Sequence, residues 1–317
     1  MQKFTVSIDN AGCRLDKFLA KSGCGFTLAQ KLLRQKNVKV NSKKVGADHR
    51  LEQGDEVQIF GNLQTTGQAP SKPKVNEEKI KLIKKSIIYQ DENLIAIDKP
   101  AGIAVQAGNA NDFSIDLALP YLKFDIEETP RLVHRLDRDT SGILLLARNR
   151  KTATLLTDGF KNKTIKKTYL ALVKGVPHKS EDTIIMPLLE KSFGNIKKVF
   201  KDSLGKEAIT HYKILKTFGR DLDTYSLLEL KPITGRMHQI RVHCKEIGHQ
   251  IIGDGKYGFE RKKNSKAIFS EKGLERSETI SFLFDKNRLC LHSFKIEIAD
   301  FFGKELLIES KKPDFIF

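Results

Sequence analysis

The stretch that most limits how this chain can fold is His134-Arg135-Leu136-Asp137-Arg138-Asp139-Thr140-Ser141-Gly142, followed without a break by an apolar run over residues 143–147. Alternating cations and carboxylates closing on Thr-Ser-Gly read as a tight polar loop, and an apolar run of about five residues reads as a buried strand. A loop anchored on a packed strand displays side chains in fixed geometry where solvent and substrate still reach them. Asp137 is therefore the candidate for chemistry. Charge pattern alone also fits a surface turn in which Asp137 and Asp139 neutralise Arg135 and Arg138.

The 317 residues suffice for a large domain and a small one. Residues 1–61 form the first unit. Leu15, Phe18 and Leu19 recur at helical spacing, and a second helix is expected to start at Thr27, where Thr27 and Gln30 fit a capping box and Leu28, Leu32 and Leu33 point inward. Val38 and Val40 alternate with polar residues as a strand, and Gly54-Asp55 leads into another at residues 57–59. Residues 62–80 mix small, polar, Pro and charged residues without an apolar period and read as a linker.

Residues 81–317 form the second unit, opening with a hairpin whose strands lie near residues 87–89 and 94–97. Pro100 and Gly102 then set a turn beside Lys99, which is placed for a phosphate or a structural carboxylate. Residues 151–160 fit a helix, and residues 166–173 fit a strand that carries Tyr169. Residues 234–243 mix alternation with helical spacing, so their secondary structure stays open; Gly235 permits a tight entry. Residues 259–286 are charged with few apolar anchors and read as a surface insertion. Strands dominate and helices are interspersed irregularly, which favours an α+β fold with a mixed, largely antiparallel sheet over a doubly wound one.

Lys and Arg total 56 against 39 acids, and a net charge of +17 points to a polyanionic partner, nucleic acid or an acidic membrane surface. No run approaches the roughly 20 apolar residues of a membrane helix, and residues 1–10 lack the apolar stretch of a signal peptide. Cys13, Cys24, Cys244 and Cys290 are scattered without a C-x-x-C pair, which predicts reduced thiols in a cytoplasmic protein. His238 and His243 have no acidic third ligand nearby in sequence, so no metal is expected.

The string HRLDRDTSG resembles the signature of the RluA-type family of RNA pseudouridine synthases. Other stretches agree with it. Arg14-Leu15-Asp16-Lys17-Phe18-Leu19, Gln30-Lys31-Leu32-Leu33, Val38-Lys39-Val40-Asn41 and Gly54-Asp55-Glu56-Val57 resemble the small RNA-binding domain named after ribosomal protein S-four. Lys99-Pro100-Ala101-Gly102 resembles the family's Lys-Pro-x-Gly, Lys167-Thr168-Tyr169 its Lys-x-Tyr, and residues 235–241 its Gly-Arg-x-His-Gln-Ile-Arg. This chain departs from the pattern at Gln106, where His is frequent, and at Met237, where Thr or Ser is common. Pro187-Leu188-Leu189 adds likeness to members that act on large-subunit ribosomal RNA.

The resemblance implies a cofactor-free isomerase that turns uridine into its carbon-linked isomer within large-subunit (23S) ribosomal RNA or a pre-ribosomal particle. It implies Asp137 as nucleophile or as base on the ribose, and Arg241 as its ion-pair partner with Arg236 second. Tyr169 would stack on the flipped uracil, and Arg135 would fill the gap the base leaves. Lys99 and Arg236 would meet RNA, and Arg14, Lys17, Lys31, Arg34 and Lys36 would contact phosphates. A monomer is expected. Three other readings stay open: a sibling synthase acting on other ribosomal or transfer RNA uridines, a non-catalytic RNA-binding assembly factor, and a nucleoside glycosidase pairing Asp137 with Asp139.

Overall fold

The computed structural model describes residues 1–60, 76–107, 112–194, 196–219, 224–258 and 288–316. Most of the expected linker, residues 62–75, and the expected surface insertion, residues 259–286, lie outside the described residues. The chain divides into two compact units, Met1–Asn76 with Asp125–Thr129, and Glu77–Phe124 with Pro130–Phe317.

In the first unit, strands β1 (Gln2–Thr5), β2 (Val38–Val40) and β3 (Glu56–Ile59) form an antiparallel sheet in the order β1-β3-β2. Helices α1 (Leu15–Leu19) and α2 (Gly25–Arg34) supply the other half of its core, where Leu15, Leu19, Ala29, Val57 and Ile59 are fully buried. The capping box expected at Thr27 does not begin a helix. A π-helical turn over Ala20–Cys24 joins α1 to α2, so the chain is already helical there and its amides have carbonyl partners without a side-chain cap.

The second unit starts with α3 (Glu77–Lys85), four residues before the expected boundary at 81. Glu77 and Glu78 in the first turn and Lys84 and Lys85 in the last suit the helix dipole, and Ile80 and Ile83 are buried. The elements that follow are β4 (Ile87–Gln90), β5 (Leu94–Lys99), α4 (Ile115–Ala118), β6 (Arg131–Leu132), β7 (Ser141–Ala147), α5 (Arg150–Lys161), β8 (Ile165–Lys174), β9 (Glu181–Phe193) and β10 (Ile196–Lys201). The chain ends with β11 (Lys206–Phe218), β12 (Tyr225–Pro232), α6 (Gln239–Glu246), β13 (Leu291–Phe301) and β14 (Lys304–Glu309).

Among the described residues the strands of this unit make one 11-stranded sheet in the order β10-β9-β11-β12-β8-β13-β7-β5-β4, with β14 on β13 and β6 on β7. Its ladders are antiparallel except β13 with β7, so the fold is α+β with a mixed, mostly antiparallel sheet. All seven residues of β7 are buried, because each face of the strand meets its own core. Leu144 and Leu146 pack with Ile83, Ile95, Ile97 and Leu122, while Ile143, Leu145 and Ala147 pack with Leu94, Leu156 and Ile296. At about 1.5–3 kcal/mol for each buried leucine-sized side chain, this strand is a firm base for the loop before it. No helix among the described residues is long and apolar enough to cross a membrane.

Candidate active site

Asp137 sits in the loop that enters β7, and that loop is clamped from the turn after β5. The Lys99 ammonium and the Gly102 amide both donate to the Arg138 carbonyl, at 3.0 and 2.9 Å, while Arg138 Nε donates back to the Gly102 carbonyl at 3.1 Å. Gly102 holds a φ of +83°, a conformation that a side chain would strain. Lys99, expected to meet RNA, is instead fully buried; it also donates to the carbonyls of Pro100 and Ile103, both at 2.9 Å. Burial pulls its ammonium down to about 7. Three carbonyl acceptors nevertheless need three protons, so the charged form is the one this geometry holds.

His134 and Gly142 fix the loop's two ends. His134 Nε2 accepts from the Leu145 amide at 2.8 Å and its ring lies 4.5 Å from Phe160, while burial pushes the imidazole down to about 3, so it is neutral and structural. Gly142 takes a φ of +102°, and a Cβ there would stand 2.2 Å from the Ser293 carbonyl oxygen, since β7 and β13 approach closely in their parallel pairing.

The second wall of the site comes from α6. Residues 239–246 are helical, which resolves the ambiguous spacing, and the left-handed residue before the helix is His238 (φ 53°), not Gly235. Gln239 ties this turn to β11: its amide donates to the Ile209 carbonyl and the Thr210 hydroxyl, and its oxygen accepts from Thr234 and the Arg236 amide. Met237, where the family commonly has a hydroxyl, packs against the core.

Arg241, in the first turn of α6, is only 6% exposed. Its Nε and Nη2 donate to Asp254 Oδ2 and Oδ1 at 2.8 and 2.6 Å, and Nη1 lies 3.5 Å from Asp137 Oδ2. Burial opposes this cation, but Asp254 and then Asp137 hold its charge and raise it above its ordinary value. Asp254 Oδ1 also accepts from the amides of Lys256 and Tyr257 at 3.0 and 3.1 Å. Tyr257 lies with its ring centre 5.2 Å from the guanidinium carbon, and its hydroxyl is 2.6 Å from His238 Nδ1. His238 Nε2 stands 3.7 Å from the same Asp137 oxygen that Arg241 approaches.

Tyr169, on β8, is half-buried and packs against two core clusters. Burial pushes its hydroxyl up to about 12, with Ser293 opposing and the Asp137 carboxylate adding to the rise, so it is a neutral phenol within electrostatic reach of Asp137. Arg241 faces Asp137 directly, and the Tyr169 phenol feels the charge of the same carboxylate. Arg236 is instead exposed, and its Nε donates to the Glu207 carbonyl at 3.2 Å. Arg135, in the loop itself, is exposed.

Arg14, Lys17, Lys31, Arg34 and Lys36 are all exposed on the first unit, with Arg14 forked onto Asp16 at 2.9 and 3.2 Å. Asp254, His238 and Tyr257 were not anticipated as site residues. The available signal is an acid and a tyrosine inside Gly253-Asp254-Gly255-Lys256-Tyr257-Gly258, which begins twelve residues after Arg241. No group of three metal-ligating side chains occurs among the described residues, and His243 is enclosed in the core.

A profile described as RNA pseudouridylate synthase matches residues 93–246, and one described as S4 domain matches residues 13–57. The chain is 40% identical to ribosomal large subunit pseudouridine synthase C of Rickettsia bellii over 95% of each protein. It is 35% identical to the protein of that name in Vibrio cholerae, over 87% of this chain and 85% of the relative. The chain belongs to the RNA pseudouridylate synthase family. As a pseudouridine synthase it is an isomerase that converts uridine to pseudouridine. Among solved structures, human RNA pseudouridylate synthase domain containing 4 superposes with a TM-score of 0.57 at 27% identity, over 75% of this chain and 92% of that one. Human RNA pseudouridylate synthase domain containing 1 gives 0.55 at 27% identity, over 72% and 83%.

Proposed function

We propose that this pseudouridine synthase acts on specific uridines of large-subunit ribosomal RNA, with Asp137 as its catalytic residue. The names of its relatives, the S4 domain and the net charge of +17 support the substrate. The observation that carries the site is the row Asp254–Arg241–Asp137, in which a buried guanidinium fixed by one carboxylate faces another across 3.5 Å.

The reaction breaks the bond from the ribose anomeric carbon to uracil nitrogen one, turns the base and rejoins it through carbon five. Carbon five loses its proton and nitrogen one gains one, so the isomerisation balances. A uridine first leaves its stack at a cost of about a few kcal/mol, which contacts of the basic surface offset. Asp137 then acts on the ribose, as nucleophile or as base, with Arg241 compensating its charge. Tyr169 presents an aromatic face to the uracil and a protonated phenol near carbon five, and Arg135 fills the vacated stack. A ribosomal RNA substrate supports action in the cytoplasm.

RNA carrying tritium at uridine carbon five tests this. Wild type releases tritium, and Asp137→Asn binds the RNA with unchanged affinity and releases none. Turnover by that variant would remove Asp137 from catalysis, and release of free uracil in place of pseudouridine would point to glycoside cleavage.

A further inference from the structure

His238 and Arg241 stand 3.7 and 3.5 Å from Asp137 Oδ2, and the chain invests an unusual backbone in His238. It adopts φ 53°, a left-handed conformation that only glycine takes without cost, immediately before the helix. Its ring is edge-on to Tyr257, with centroids 5.3 Å apart. The direction of each hydrogen bond follows from counting protons. The Val199 amide donates to Tyr257 Oη at 3.0 Å, and Tyr257 is buried. Its own hydroxyl proton needs an acceptor, and His238 Nδ1 at 2.6 Å is the one found among the described residues. A neutral imidazole accepting at Nδ1 carries its proton on Nε2, which is the nitrogen 3.7 Å from Asp137 Oδ2. Burial favours the neutral ring, with Arg241 and Lys256 acting in the same direction against Asp137 and Asp254.

We propose that His238 is a positioning residue for Asp137: Tyr257 locks it as the Nε2–H tautomer, and with Arg241 it holds Oδ2 so that Oδ1 is the oxygen that reacts. Arg241 supplies the charge and His238 supplies direction. The 3.7 Å separation closes to a hydrogen bond with a small rotation of the carboxylate, as polar contacts in a site without substrate commonly do when the site fills. The two donors approach one oxygen from different elements, the loop-facing end of the guanidinium and the residue before α6, and so fix the carboxylate plane as well as its position.

This rests on the reading of Asp137 as catalytic, and the experiment separates the two. His238→Ala and His238→Gln carry the same left-handed backbone cost, but only Gln returns an N–H donor near the Nε2 position. Kinetics on full-length protein with an RNA substrate should show kcat down about tenfold for His238→Ala with KM within about twofold, and most of the rate recovered by His238→Gln. Nitrogen NMR of labelled histidine should show the Nε2–H tautomer in wild type and a mixture in Tyr257→Phe, which keeps the ring and loses the hydroxyl. Equal kcat for wild type and His238→Ala, equal losses for Ala and Gln, or an Nδ1–H tautomer in wild type would each overturn the proposal. Turnover by Asp137→Asn would instead overturn the reading beneath it.

Discussion

Asp254→Asn exchanges one carboxylate oxygen for an amide nitrogen and removes one buried charge. In the native protein that carboxylate accepts four hydrogen bonds, from Arg241 Nε and Nη2 and from the amides of Lys256 and Tyr257. An amide has one oxygen and one donor group. If the oxygen stands at Oδ1 it keeps three donors and turns the NH2 group on Arg241 Nε; if it stands at Oδ2 the NH2 group meets the other three. Either way a donor faces a donor in a site where Asp254 is 1% exposed. Breaking a buried ion pair from one side costs about 3–5 kcal/mol. Asp137 remains as a counter-charge at 3.5 Å, which places the cost near the lower end. For a unit of this size each kcal/mol moves the melting temperature by about 2–4 °C, so the variant should melt about 6–12 °C lower by circular dichroism. Arg241, released from its clamp, no longer holds a fixed place beside Asp137, and turnover at 25 °C should fall by about 10-fold to 100-fold. A variant melting within about 2 °C of wild type with unchanged turnover would refute the claim that Asp254 fixes Arg241.

Lys31→Ala and Arg34→Ala should each flatten the dependence of log affinity on log salt by about 0.7–0.9 if each meets one phosphate; an unchanged slope takes that residue off the RNA. Gly142→Ala would force a Cβ onto the Ser293 backbone and should destabilise the second unit by at least about 2 kcal/mol, read by thermal melting, whereas a wild-type melting temperature would contradict the close approach of β7 and β13. His243 and His292, buried and pushed down to about 4, stay neutral in the folded protein while the unfolded chain protonates them near pH 6.5. The stability they contribute is therefore whole above that pH and lost as the pH falls toward 4, by on the order of 3 kcal/mol each. Urea unfolding across that range measures it, and a flat profile would contradict their neutral burial.

The α+β class was legible because strand and helix periods survive in the sequence, and the run at residues 143–147 marked a strand covered on both faces. The burial of Lys99 is not legible, because an ammonium beside a Pro-Gly turn looks the same whether it meets phosphates or backbone carbonyls, and carbonyls leave no trace in a sequence. The helix start expected at Thr27 is displaced for a related reason: a π-helical turn such as Ala20–Cys24 has no composition of its own. Arg241 and Asp137 are 104 residues apart, and only the family motif suggested pairing them. The ring of partners behind Arg241 escaped notice because Asp254 and Tyr257 gain meaning only when the loop after α6 folds back on the helix, a tertiary fact without a local pattern.

The most direct test maps pseudouridine by chemical probing across large-subunit ribosomal RNA from cells with and without this gene, complemented by wild type or by Asp137→Asn. Specific sites should vanish on deletion and return only with wild type. Sites that persist without the gene, or that Asp137→Asn restores, would contradict that expectation.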